Sequence, residues 1–508
     1  MSRNPLSPPP RAPHASAMRH HPNLRPAPVA AAIALAAVAL AAIPSSPAFA
    51  QDASAEDSAS NRRLLERLEA LERRLGVAAD DSGSAASADD LDQRLRVIER
   101  RLELQAEEAA TKAARDPVVA LSPSRGLSVT SPDGLDLRVR GLIQADGRFF
   151  IGDDRVPQND TFLFRRIRPT LEGNWGSLIG FRLTPEFAGD SATIVDAYVD
   201  LKFDPRATLR IGKVKGPVGL ERLQSATAIG FVERGFPTEL APNRDLGVQL
   251  QGEVSDKRVN YAVGVFNGAP DGRDASTTNA DNEFEYAARV FWEPFRNSAN
   301  AWSGLGLGLA ASTGETFGTG NNVLPRYRTP GQAQFFAYNA NVAGDGLRRR
   351  VSPQGYFYRG PFGLLGEYIT SSQELRVTTG PSAGRRAQLD HDAWQLTAGW
   401  VLTGEDASFR GVVKPNRPFT PKGEGWGAFE VVARYGELDV DDDAFPLFAN
   451  PANAASASKA WSLGLNWYLN ANLKLVANYT EASFDGGAAA GADREDEKTV
   501  FTRAQVSF

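Results

Sequence analysis

Basic side chains recur on one face of several alternating segments, and they are the residues of this sequence best suited to bind anions. In the segment that starts near residue 136, Arg138, Arg140 and Arg148 share a polar face, while Val139 and Ile143 point the other way. Guanidinium and ammonium groups donate charge-assisted hydrogen bonds to phosphate and carboxylate oxygens. The complete set of candidates comprises Arg138, Arg140, Arg148, Arg166, Arg168, Arg182, Arg210, Lys213, Lys215, Arg222, Arg234 and Arg244.

The same segments carry carboxylates that could neutralise these arginines. Glu172, Glu186, Asp196 and Asp200 fall among the polar positions of the alternating pattern. An arginine beside such a carboxylate would form an ordinary ion pair of a protein wall and would attract a free anion less strongly. An anion-binding interpretation and a wall-network interpretation are therefore both open from the residues alone.

Patterns that could support catalysis or metal binding lack the partners that such chemistry needs. Gly380–Gly384 matches the nucleophile elbow of serine hydrolases, but that motif requires a preceding strand, a following helix and a downstream histidine. Only His391 follows it, and it is the single histidine beyond the N-terminal region. Asp441–Asp443 lacks the ligand spacing of a calcium site. The sequence therefore predicts no enzyme, no metal site and no cofactor.

The composition limits the class of protein. The chain has 508 residues, a formal net charge of -5 and no cysteine. A net negative charge argues against a general nucleic-acid binder, and the lack of cysteine excludes disulfides and thiolate metal sites. Beyond the N-terminus no stretch of twenty apolar residues occurs, which argues against a bundle of membrane-spanning helices. The body of the chain is then either soluble or a β-barrel.

The N-terminus has the order of a secretory signal. Arg19 precedes the small apolar run Val29–Ile43, and Ala48–Ala50 provides a small-x-small cleavage site. We assign residues 1–50 to a signal peptide. Met18 offers an alternative start that would leave a signal of ordinary length.

Residues 51–125 form a polar segment with two short apolar repeats. The alternating spacings of four and three are typical of a coiled-coil seam, and the repeats consist of Leu64, Leu68, Leu71 and Leu75, followed by Leu91, Leu95, Ile98 and Leu102. Helices this short are marginal alone in water, so their seams need burial. We interpret the segment as a periplasmic coiled coil and linker, with a solvated, marginally helical linker as the alternative.

Residues 126–508 alternate apolar and polar positions between clusters of turn-forming residues. Trp461, Leu463, Leu465 and Trp467, for example, share one face. Many of the segments are long enough to cross a membrane as tilted strands. We predict an all-β fold, a 16-stranded antiparallel transmembrane β-barrel preceded by a short α-helical coiled-coil segment. The predicted strands begin near residues 136, 162, 179, 193, 207, 245, 258, 284, 303, 353, 362, 391, 427, 459, 472 and 498.

The lengths of the connections alternate along this region. Tight turns such as 204–207 mostly alternate with long loops such as 214–244. Outer-membrane barrels have short periplasmic turns and longer extracellular loops. Two connections depart from the pattern, because 188–192 is short in the long phase and 403–424 is long in the short phase. We therefore expect the chain in the outer membrane and in contact with its lipid, with the N-terminal segment in the periplasm.

The last strand ends in an aromatic residue. Phe508 closes the chain, and Val506 and Ala504 alternate before it. An aromatic terminus on an amphipathic strand resembles the signal that the bacterial barrel-assembly machinery reads. That machinery is the expected partner during biogenesis.

Several further motifs occur in order along residues 126–508, and they are Phe164–Arg166, Gly212–Glu221, Phe231–Arg234, Ser352–Tyr356, Gly360–Gly363, Glu367–Tyr368, Gly425–Glu430 and Gly464–Tyr468. Together they resemble the phosphate-selective porin O and P family. The resemblance implies a sixteen-stranded trimeric porin with a third external loop folded into the lumen, an arginine ladder and basic residues at the constriction. By position, Arg166 and Arg168 are candidates for the ladder, and Lys213 and Lys215 lie just before the inward loop.

These patterns predict a passive outer-membrane porin that conducts small anions, with phosphate or polyphosphate as the expected solutes. The predicted path is an arginine-lined lumen constricted by an inward loop. Because the tip of that loop, Ser225–Ala228, contains no lysine, a non-selective small-solute porin is one alternative. The other is a structural outer-membrane anchor that uses its periplasmic coiled coil.

Overall fold

The computed structural model describes Glu66 and residues 88–122, 126–152 and 158–508. The predicted signal peptide and the four leucines of the first apolar repeat lie outside the described residues. By its internal contacts the chain divides into two compact units, Met1–Leu102 and Glu103–Phe508. The second unit contains the strands.

A long helix, α1, spans Ala88–Arg115 and includes the second apolar repeat. Within the repeat, Ile98 is buried and Leu102 is exposed. A helix at this position agrees with the predicted repeat, and the association of such helices into a coiled coil stays a prediction. Among the residues that the structure describes, no helix is both long and apolar enough to cross a membrane.

Sixteen antiparallel strands close into a barrel, as predicted. Neighbouring strands pair in chain order, and the last strand of the barrel pairs with the first, with Thr499 opposite Phe150 and Ser507 opposite Leu142. The barrel strands are β3 Leu135–Phe150, β4 Thr161–Trp175, β5 Ile179–Glu186, β6 Thr193–Asp204, β7 Ala207–Lys215, β8 Arg244–Val254, β9 Val259–Phe266, β10 Glu285–Trp292, β11 Leu305–Thr319, β14 Val342–Arg359, β15 Phe362–Val377, β16 Arg386–Val401, β17 Ala428–Asp439, β18 Ala455–Tyr468, β19 Leu473–Gly486 and β20 Glu497–Ser507.

The remaining elements are short and lie before the barrel or in its connections. They are β1 Val118–Ser122, β2 Gly126–Thr130, β12 Arg326–Arg328, β13 Gln334–Ala337, α2 Leu220–Leu223, α3 Pro237–Leu240 and the 3-10 turns Asp442–Ala444 and Ala489–Gly491. The sequence patterns did not predict β1 and β2, which form a hairpin. Its second strand pairs with β3, Leu127 opposite Val139, beyond the point where β20 ends.

Most predicted strand starts fall within a few residues of the observed ones, but the start near 353 is wrong. Strand β14 begins at Val342, and the run of three consecutive arginines at 348–350 interrupts the alternation of apolar and polar residues on which the prediction relied. Arg350 is fully buried there and forms ion pairs of 2.6 Å with Asp271 and 2.7 Å with Glu285. A buried charge is tolerated when it is paired in this way. The starts predicted near 391 and 459 are also late.

Successive side chains of each strand point alternately to the outside of the barrel and to its lumen. On β18, Leu463 is 51% exposed and Leu465 is also exposed, whereas Ser462 is only 2% exposed because it faces the interior. Trp461 and Trp467 bracket this apolar outer band, as interfacial aromatic girdles do. A barrel with this outside needs lipid to cover it.

The main apolar cluster of the structure lies inside the barrel, towards the long loops. The connection 320–341 turns inward and contains Tyr327, Phe335 and Phe336, which have no exposed surface. They belong to the same cluster as Ile369 and other wall residues of β15 and β16. Apolar burial therefore fills part of the lumen at that end and fixes the connection.

We predict that an arginine on the outer band destabilises the barrel much more than one placed beyond the girdle. Leu463→Arg should lower the free energy of unfolding by about 2–4 kcal/mol, because its charge must enter the hydrocarbon. Ser483→Arg is the matched control, since Ser483 is exposed and lies opposite Lys459 in a polar band; it should cost less than about 1 kcal/mol. Urea unfolding in lipid vesicles measures both, and equal losses would contradict the assigned faces.

Candidate functional site

The connection between β7 and β8, residues 216–243, crosses the interior of the barrel, and we call it the inward loop. Gln144 on β3 donates to the carbonyl of Ala226 at 3.2 Å, and Lys474 on β19 donates to that of Ile229 at 2.8 Å. Only a segment inside the barrel can reach inner-face residues from so many strands. The wall residues that bond to it include Gln144, Glu367, Gln395, Arg434, Asn466, Lys474, Asn478 and Gln505.

A buried carboxylate fixes the start of the inward loop. Glu367 on β15 accepts hydrogen bonds from the backbone N–H groups of Leu220 at 2.6 Å and Glu221 at 3.0 Å. These are the first residues of α2, whose N–H groups have no partner within the helix. The carboxylate of Glu221 in turn accepts from the N–H of Gly235 at 2.8 Å and from Gln395 at 2.9 Å. One chain of bonds thus ties both arms of the loop to the wall.

A cavity of about 1130 Å³ lies between the inward loop and the short-turn end of the barrel, and we call it the vestibule. Its boundaries include Thr227 of the loop and Pro205 and Asn472 of two short turns. By the usual orientation of outer-membrane barrels, this end faces the periplasm. The basic residues along its walls are Arg140, Arg168, Arg182, Arg210, Lys215, Arg244, Arg289, Arg410 and Lys414, and the acidic ones are Asp196 and Glu253.

Ion pairs hold most of the vestibule arginines. Arg210 forms a bidentate pair with Asp200, at 2.7 Å and 2.9 Å, and its guanidinium lies 3.9 Å from the ring centre of Tyr198. These contacts match the wall network that the sequence left open as an alternative. The other pairs are Arg168 with Glu186 at 2.6 Å, Arg244 with Asp196 at 3.3 Å, Arg140 with Glu172 at 3.2 Å, Arg182 with the same Glu172, and Arg410 with Glu293 at 2.6 Å.

Three vestibule cations have no carboxylate partner within the described part of the chain. Lys215 donates to the carbonyls of Arg222 and Gln224 in the inward loop, at 2.7 Å and 3.1 Å. Arg289 donates to the amide oxygen of Gln354, and Lys414 is exposed. Their positive charges are not compensated by a direct ion pair.

The other residues that the sequence predicted to bind anions do not line the vestibule. Arg138 pairs with Asp136 near the short-turn end of β3, at 2.6 Å, and Lys213 is 3.7 Å from Asp274. Four lie in or against the inward loop. These are Arg148, which pairs with Glu233; Arg166, which donates to Gln144; Arg222, which donates to the carbonyl of Thr238; and Arg234, which donates to the carbonyls of Glu221 and Gln224.

Sequence reasoning missed several basic residues of the interior. Arg289 occupies an inward position of β10, where strict alternation could have identified it. Arg165 is different, because the pairing of β3 with β4 shifts register there: Gln144 lies opposite Arg166, and the next residue of β3 lies opposite Phe164. A bulge of this kind interrupts the alternation, so the pattern gives no face for Arg165.

Arg410 and Lys414 belong to a turn, residues 402–427, that bends into the lumen from the short-turn end. This is the connection whose length departs from the alternating pattern. Within it, Phe409 stacks on Tyr356 with ring centres 4.7 Å apart, and its carbonyl accepts from Gln224 of the inward loop at 3.0 Å. The turn and the loop therefore touch across the vestibule.

Comparison with known proteins identifies a matching family and related sequences. The family profile of phosphate-selective porin O and P matches residues 137–508. Porin O of Pseudomonas aeruginosa is 24% identical over 425 residues, 77% of this chain and 92% of that protein. A Caulobacter vibrioides protein described as uncharacterized is 24% identical over 341 residues, 63% of each chain.

Similar solved structures include two outer-membrane proteins. The outer membrane channel DcaP of Acinetobacter baumannii has a TM-score of 0.48 and 13% identity, covering 75% of this chain and 99% of that one. The anion-selective porin from Comamonas acidovorans has a TM-score of 0.44 and 12% identity, covering 74% of this chain and all of that one.

We predict that Glu367→Ala loosens the inward loop without unfolding the barrel. The substitution leaves two buried N–H groups without an acceptor, which costs about 1–3 kcal/mol for each. Single-channel recordings in planar bilayers should show a larger and noisier conductance. Glu374→Ala on the same strand is the control, because Glu374 bonds to Leu347 and not to the loop. A conductance like that of the unsubstituted protein would show that Glu367 does not hold the loop.

Proposed function

The chain belongs to the phosphate-selective porin O and P family, a family of outer-membrane channels, and from this premise we propose that it is a passive pore for small anions. Phosphate-like oxyanions are the solutes that the proposal favours. Its path runs past the inward loop and through the vestibule. The description of the family as phosphate-selective points to the same solute class.

The charge of the vestibule is the observation that carries the proposal. Nine basic side chains and two acidic ones line this cavity. A cleft lined by one sign of charge between low-dielectric walls focuses the field and concentrates counter-ions. Anions would therefore be enriched in the vestibule and cations depleted.

Ion-paired arginines can still take part, because a guanidinium has five N–H donors. The pair of Arg210 with Asp200 occupies Nε and Nη2, which leaves donors for a passing oxyanion. The pairing also weakens each contact, so an anion would be guided and then released. A conducting pore needs both properties.

Family membership also supports a homotrimer, which the resemblance of the sequence motifs implied. Each protomer would then contain its own lumen, since one chain closes the barrel. The inward loop would set the narrowest part of the path. Its tip contains no lysine, so the proposal covers small anions as a class and phosphate as the first member to test.

A non-selective small-solute pore is the second candidate, and the wall network favours it. Arg168, Arg210 and Arg244 each have a carboxylate within 3.3 Å. If such pairs neutralised the lumen as a whole, solute size alone would decide passage. The two candidates differ in the sign and size of the reversal potential.

The unsubstituted protein should conduct anions in preference to cations. Purified protein in a planar bilayer, with a gradient of potassium chloride, should give a reversal potential with the sign of chloride permeation. Phosphate added to the solution should then reduce the chloride current. A reversal potential near zero would favour the non-selective pore, and a cation-selective one would overturn the proposal.

Removing two unpaired cations of the vestibule should reduce the selectivity. For Arg289→Gln with Lys414→Gln we expect the anion-to-cation permeability ratio to fall at least about twofold, because the focused positive field weakens. The control is Arg206→Gln with Lys257→Gln, which removes the same charge from exposed short turns. If both double variants lowered the ratio equally, net charge and not the vestibule would determine selectivity.

A further inference from the structure

A carboxylate of the inward loop sits inside a cluster of guanidinium groups. Glu233 accepts from Arg148 at 2.8 Å and from Arg165 at 2.6 Å and 3.1 Å. Its side chain is 5% exposed, while those of Arg148 and Arg165 are 13% and 30% exposed. The arginines that bind the carboxylate thus keep some exposed surface, and the carboxylate itself is covered.

The cluster contains more positive than negative charge. Arg166 and Arg234 interact electrostatically with Glu233, and none of their hydrogen bonds goes to a carboxylate. Arg503 also belongs to the cluster but forms a bidentate pair with Asp146, at 2.7 Å for both bonds. Five guanidinium groups therefore surround two carboxylates, of which only that of Glu233 belongs to the loop.

Unused donors remain beside the carboxylate. The Nε groups of Arg148 and Arg166 are buried and donate to no protein acceptor. Arg166 is 3% exposed, so its charge is removed from bulk water without a carboxylate of its own. Buried donors of this kind favour a further acceptor, and an oxyanion in the lumen has the acceptor atoms to provide it.

We propose that Glu233 acts as a tethered anion, which occupies part of the guanidinium cluster and weakens the binding of a permeating oxyanion there. A free oxyanion reaching Arg148 and Arg165 has to share or displace the bonds that Glu233 makes. The carboxylate thereby sets the affinity of the pore for phosphate-like solutes and favours their release. This inference rests on the proposed anion conduction and assigns one residue to its regulation.

The alternative role for Glu233 is to fasten the loop to β3 and β4. The N–H of Val232, just before it, donates to Asn478 on β19 at 3.1 Å, and the backbone carbonyl of Glu233 itself accepts from Arg434 on β17 at 3.0 Å. The loop is therefore held on both sides of Glu233 by bonds that its side chain does not make. Replacing the side chain by an uncharged one of equal size should leave the loop in place.

The test compares Glu233→Gln with the unsubstituted pore in planar bilayers, with inorganic phosphate as the probe. We expect the phosphate concentration that halves the chloride current to fall by about tenfold, because a guanidinium pair becomes free of its carboxylate. Glu233→Asp, which keeps the charge, should stay close to the unsubstituted protein. Asp204→Asn removes a carboxylate from an exposed arginine pair on a short turn and should change nothing.

The outcomes separate this inference from the proposed function. Unsubstituted protein that lacks anion selectivity would refute the function itself. Anion-selective unsubstituted protein with an unchanged or weaker phosphate block in Glu233→Gln would overturn only the role of Glu233. A larger, noisier conductance in that variant would identify the residue as a loop fastener, and failure of Glu233→Gln to assemble into heat-modifiable barrels would lead to the same conclusion.

Discussion

The exclusion of unpaired polar groups from the lipid core is the constraint on which this structure depends. Every backbone N–H and C=O group at membrane depth needs a partner, and a closed barrel provides one for each strand. The return of β20 to β3 completes that closure. Charged side chains on the spanning strands must then face inward, so Arg182 and Arg210 line the vestibule while Leu183 and Ile211 form the outer surface. The same constraint places the arginines of these strands, and the carboxylates that pair with them, on the inside of the barrel.

Two kinds of contact fill that interior. Towards the long loops, apolar side chains such as Tyr327 and Phe336 pack against the wall, and the burial of their surface holds the connection in place. Across the middle, Phe236 and Leu240 of the inward loop join the same apolar cluster, and polar bonds, among them those of Glu367 and Lys474, hold the rest of the loop. Polar anchoring suits a segment beside an aqueous path, because each donor or acceptor that the loop covers must be replaced. The open cavity that remains is the vestibule on the short-turn side, which basic residues line.

The sequence was sufficient to predict the barrel and much of its inner face, because both follow from the alternation of apolar and polar residues with a period of two. The alternation predicted the number of strands and the inward direction of residues such as Arg168. It failed where local geometry breaks the period, as at the bulge beside Arg165, and where consecutive charged residues interrupt the alternation, as around Arg350 on β14. The alternation of residues also could not predict contacts between segments that are distant in the sequence. The side chain of Gln224 donates to the carbonyl of Phe409, 185 residues away, and no local sequence pattern predicts that contact.

The ion pairs along the lumen change which residues can decide selectivity. A paired arginine such as Arg210 is fixed in position and partly neutralised, so it supplies donors at a defined place but little net charge. Uncompensated charge comes from fewer residues, among them Arg289 and Lys414 in the vestibule and the excess guanidinium groups around Glu233. Because a conducting pore must bind its solute weakly at several places, a wall of paired arginines with a few unpaired cations suits conduction better than the same arginines left free. The number of arginines in the lumen is then a poor measure of its affinity for anions, and the number without a carboxylate partner is the physically relevant one.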